Sequence, residues 1–153
     1  MIYIGIDVGK SGGIAMIVGD SVGAVKMPDT ERDIYEKILD ATLYKDYKSI
    51  FCYIEKVHSM PKQGVKSVWT FAENYGNLRM ALIAAKIPFE AITPQTWQKG
   101  LGIVKRGKEE GKTKFKNRLK AKAQELFPEL KITLATADAL LIAEYCRRMR
   151  NVS

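Results

Sequence analysis

Histidine occurs once, at position 58, and cysteine twice, at positions 52 and 146, in a chain of 153 residues. That scarcity argues against a zinc centre, which draws on clustered thiolates and imidazoles at ligand spacing. It also argues against a disulfide framework. Both cysteines sit in apolar stretches and read as buried free thiols in a reducing cytosol, with a disulfide as the alternative. No apolar run approaches the roughly 20 residues that span a bilayer. The N-terminus lacks a basic segment and does not read as a signal peptide. No serine–histidine pairing offers a nucleophile system. Acid is also in deficit: 17 Asp and Glu stand against 25 Lys and Arg, a formal net charge of +8. That balance favours a polyanionic partner, nucleic acid first and an anionic membrane surface second.

What is present is an ordinary globular composition, 46% hydrophobic and 27% charged, long enough to bury a core. No repeat or linker divides it, so residues 1–153 read as one domain. Residues 2–7, 14–18 and 22–27 are short apolar runs broken by glycine turns, an antiparallel meander. Residues 31–47 carry Ile34, Ile38, Leu39 and Leu43 at helical spacing. Residues 49–57 are β-branched and aromatic and read as a buried strand. A loop over 58–66 precedes a long helix over 68–86, with Phe71, Tyr75, Leu78, Leu82 and Ile83 on one stripe. A short strand over 88–92 leads to a helical turn with Pro94 in its first turn, where a missing N–H costs least. A glycine- and lysine-rich stretch over 101–111 follows. A basic helix over 112–127 and a final helix over 136–148 complete the reading. This order gives an α/β layered domain with a five-stranded mixed sheet flanked by helices. The first strand can be central, with the fourth beside it in parallel through a crossover helix.

Three acids sit in apolar settings where an unpaired carboxylate is expensive. Asp7 ends the first strand and precedes glycines; it either caps its own hairpin or serves a site. The same glycines suggest a phosphate turn, but no Walker lysine spacing or following helix supports one. Glu55 ends the fourth strand. Pairing with Lys56 is a poor explanation, because adjacent strand residues face opposite ways. Asp138 opens the last helix, where it is an N-cap or first-turn acid, a site residue, or both. Glu144 falls about 240° round that helix from Asp138 and reads as solvated. The predicted topology brings Asp7 and Glu55 together at the strand ends, and a helix crossing the sheet adds Asp138. Carboxylates without a Cys/His cluster suit Mg²⁺, or Mn²⁺. Two such ions about 4 Å apart activate water and stabilise the leaving oxygen of a phosphodiester.

Lys105, Arg106, Lys108, Lys112, Lys114, Lys116, Arg118, Lys120 and Lys122 are opposed only by Glu109 and Glu110. A charge run can be a plain solvated face. At this density a phosphate track is the better reading. Lys62, Lys66 and Trp69 flank Gly64 as a second DNA contact, with Trp69 able to stack on unpaired bases. His58 is a solvated loop residue or a lesser candidate for DNA or metal contact.

Four ordered segments then carry a resemblance: Gly5-Ile-Asp7-Val-Gly-Lys-Ser-Gly-Gly13, Ile54-Glu55-Lys-Val-His58-Ser-Met60-Pro61-Lys-Gln63-Gly64, Thr93-Pro94-Gln95-Thr-Trp97-Gln-Lys99 and Ala137-Asp138-Ala-Leu-Leu-Ile-Ala143-Glu-Tyr145. Over about 140 residues the chain resembles the RuvC-type Holliday-junction resolvases of the RNase H-like superfamily, nearest the short phage and plastid versions. The resemblance implies an RNase H-like fold and a homodimer on a four-way DNA junction. It also implies Mg²⁺-dependent nicking that leaves 5′-phosphate and 3′-hydroxyl ends. It implies a role in DNA recombination and repair in a bacterial cytoplasm or a phage-infected host cell. Asp7, Glu55 and Asp138 match three of the family's four metal ligands. The fourth, an Asp or His three or four residues before the last acid, falls on Ala135 or Leu134, which cannot coordinate. A binding protein with this fold and weak or no cleavage is the alternative. An actin-like ATPase, also sharing Gly5-Ile-Asp7-Val-Gly9, would need a second phosphate loop and a much longer chain.

Overall fold

The computed structural model describes residues 1–43, 49–56 and 64–151. Within them the elements are β1 (Ile2–Asp7), β2 (Gly13–Val18), β3 (Ser21–Lys26), α1 (Glu31–Leu39), a 3-10 turn (Asp40–Leu43), β4 (Ile50–Glu55), α2 (Val65–Ala84), β5 (Phe89–Ile92), α3 (Pro94–Gly100), α4 (Lys112–Leu126) and α5 (Leu134–Asn151). The strands form one mixed sheet in the order β3-β2-β1-β4-β5. β1 is central, antiparallel to β2 and parallel to β4, and β4 is parallel to β5.

The alternation of side chains along β1 sorts the two layers. Ile2, Ile4 and Ile6 face one core, with Cys52 and Ile54 of β4, Ile34 and Ile38 of α1, and Leu78 and Leu82 of α2. Tyr3 of β1, Ala15 and Ile17 of β2 and Tyr53 of β4 face the other core, with α5, Trp97 and Leu101, and Leu119 and Ala123 of α4. Gly5 is where α5 comes closest. A Cβ there would lie 2.2 Å from both the Ala139 carbonyl oxygen and the Ala143 nitrogen, so only glycine lets the helix rest on the strand.

Several boundaries differ from the sequence reading. α1 ends at Leu39 and passes into the 3-10 turn, and Leu43 is 78% exposed rather than on the buried stripe. Residues 44–47, expected to continue the helix, lie outside the described residues. α2 starts three residues early, and its buried positions are Asn74, Leu78, Ala81 and Leu82, while Ile83 is exposed. α5 starts at Leu134 because Thr133 and Thr136 close its first turn: the Thr133 N–H donates to Thr136 Oγ1 at 3.1 Å.

Candidate active site

Asp7 and Glu55 each follow the in-register pair Ile6 and Ile54, so the parallel strands deliver both to the same end of the sheet. As odd-numbered residues they share the α5 face with Tyr3, Gly5 and Tyr53. The close seat of α5 on Gly5 then brings Asp138, one residue before Ala139, over the strand ends. Asp138 lies in the second turn of α5, not at its cap, because the helix starts two residues earlier than expected. Its burial therefore has no capping explanation.

The cluster is electrostatically tense. Burial, then the charges of Glu55 and Asp138, push the Asp7 carboxyl well above the usual carboxylate range. Glu55 is also raised, by burial first, against the opposing hydrogen bond from Trp97. That bond runs from the indole Nε1 of fully buried Trp97 to Glu55 Oε1, at 3.1 Å. The Lys116 ammonium donates to Asp138 Oδ2. Burial disfavours its charge, but Asp138, Asp7 and Glu55 outweigh that and raise its pKa. Asp7, Glu55 and Lys116 border a cleft of about 690 Å³ whose other walls include Gly9, Lys10, Ser11, Lys26, Phe71, Leu134 and Ala135. The Gly9 N–H donates to buried Asn74 Oδ1 at 2.8 Å, tying the β1–β2 turn to α2.

Among the described residues, no group of three or more His, Cys, Asp or Glu side chains is drawn together tightly enough to hold an ion as it stands. The donor set nevertheless fits a hard divalent cation. It offers carboxylate oxygens that repel one another, and Asp138 Oδ1 is buried without a hydrogen-bond partner.

The solved structure of Thermus thermophilus RuvC is similar over 98% of this chain and 97% of its own, at 17% identity and a TM-score of 0.63. T. thermophilus RuvC in complex with a Holliday junction substrate is similar over 97% and 96%, at 16% identity and a TM-score of 0.65. The chain has the RuvC fold. No family model matches the sequence, and no curated protein matches it significantly.

On this RuvC fold the other expected site residues fall in different places. Lys66 and Trp69 are exposed on the first turns of α2, with Trp69 71% exposed. Lys62 and His58 lie outside the described residues. Lys105, Arg106 and Lys108 are exposed between α3 and α4, and Lys112 and Lys114 are exposed where α4 begins. Arg118 is engaged within the protein, with Glu110 at 2.9 Å and the Val104 carbonyl at 2.8 Å. Lys116, expected on the phosphate track, stands in the carboxylate cluster instead. Trp97 is the contributor that residue type alone does not reveal. Its signal is a large indole inside a turn capped by Thr93, whose Oγ1 accepts from the Thr96 N–H. Glu144 is buried rather than solvated: it is 2% exposed, held by Arg147 and Arg148 at 2.8 and 2.7 Å. Both cysteines are free and buried, and among the described residues no helix is long and apolar enough to cross a membrane.

Proposed function

We propose that this chain is a divalent-metal-dependent endonuclease that nicks four-way DNA junctions as a homodimer. The observation that carries this reading is the convergence of Asp7, Glu55 and Asp138, from three separate elements, at one end of a RuvC-fold sheet. Asp7, Glu55 and Asp138 would hold Mg²⁺ or Mn²⁺, which supplies an activated water and neutralises charge on the scissile phosphodiester. Trp97 fixes one oxygen of Glu55 and so orients its carboxylate. The exposed cations between α3 and α4 would track phosphates, and exposed Trp69 would stack on bases at the branch.

Nicking of a synthetic four-way junction in Mg²⁺ tests this. Asp7→Asn and Glu55→Gln should each lower the nicking rate by at least about 100-fold while junction binding persists. Paired, symmetric nicks identify a resolvase. Junction binding without product in either metal would overturn cleavage.

One observation favours the second reading, a junction-binding protein with little cleavage. Leu134 and Ala135 line the cleft where the resemblance implies a fourth ligand. A faster Leu134→Asp or Leu134→His variant would identify the missing donor, and an unchanged rate would point to a different site geometry.

A further inference from the structure

The ion pair between Lys116 and Asp138 is lopsided. The Asp138 side chain is 5% exposed and that of Lys116 is 46% exposed. The acid is fixed inside α5, whereas the lysine has a flexible stem with water beside it. Lys116 also acts on Asp7 and Glu55, so one ammonium serves all three acids.

We infer that Lys116 is an internal counter-cation, offsetting the charge of Asp138 without a divalent ion and displaced from it when one binds. The inference rests on the metal-site reading above and deepens it. A metal ion on Asp138, whose Oδ1 has no hydrogen-bond partner, would share one carboxylate with the ammonium on Oδ2, and like charges that close repel. Cation entry is then an exchange of one positive charge for another, and the buried acid never stands uncompensated. The exchange also accounts for carboxylates that are gathered yet not drawn into a cage. The released ammonium remains at the cleft wall, where a DNA phosphate is the next available anion.

Equilibrium Mn²⁺ binding without DNA, read by the EPR signal of the free ion, tests the exchange. Lys116→Met keeps the stem and removes the charge. It should bind Mn²⁺ about five-fold more tightly, the factor a half-exposed ion pair contributes. Its melting temperature should fall below wild type in chelator and recover in saturating Mn²⁺. Lys116→Arg keeps the charge and should bind as wild type does. Unchanged or weaker Mn²⁺ affinity in Lys116→Met would overturn the exchange. Asp7→Asn separates the two readings. If wild type binds Mn²⁺ and Asp7→Asn does not, the metal site stands and only the role of Lys116 is at stake. If neither wild type nor Lys116→Met binds it, the metal site and the exchange both fail.

Discussion

Glu55 ends a strand with one oxygen held by an indole, and that bond separates orientation from charge. Trp97→Phe keeps most of the ring volume but removes the N–H donor. It should cost about 1 kcal/mol in urea denaturation and slow nicking about ten-fold, with junction affinity unchanged. At this scale the sequence showed which acids were out of place, because a carboxylate beside Ile6 or Ile54 is costly wherever the chain goes. It could not show Trp97 as their partner, because that contact spans 42 residues and depends on how α3 docks. Lys116 was equally hidden: in sequence it is one cation in a dense basic run, and only the packing of α4 against α5 singles it out.

At the scale of elements, α5 sets the site because it rests directly on β1. Gly5→Ala would drive a methyl into the Ala139 carbonyl, and the helix must lift. The expected loss is about 3 kcal/mol in thermal or urea denaturation, at the upper end for overpacking. Farther along α5, burial pulls the Glu144 carboxyl up, but Arg147 and Arg148 outweigh it and hold it below its usual value. A lowered folded pKa gives stability that is complete above the unfolded value and lost as pH falls toward the folded one. Glu144→Gln should therefore cost about 1–2 kcal/mol at pH 7, and the gap to wild type should close below about pH 4. Helical periodicity made the existence of α1, α2 and α5 legible. Their ends were less so, since Thr133 and Thr136 close a turn through side-chain geometry that spacing does not display.

Over the whole molecule, Lys105, Arg106 and Lys108 are exposed between α3 and α4, whereas Asp7 and Asp138 are buried. Replacing those three with glutamine should lower the salt slope of junction binding by about three, one phosphate contact each, in a titration from 50 to 200 mM salt. Strand order was legible from the meander and the crossover rule, which is why β1 could be placed at the centre of the sheet. That placement has a consequence for the order of events during synthesis. Among the described elements the central strand is made before the others, yet the helix that buries one of its faces and completes the acid cluster is made after them. Ribosomes deliver about 5–20 residues per second, so β1 waits through the synthesis of every intervening element with its α5 face uncovered. A chain interrupted before α5 holds Asp7 and Glu55 without Asp138, and the acid cluster is assembled only as that helix emerges.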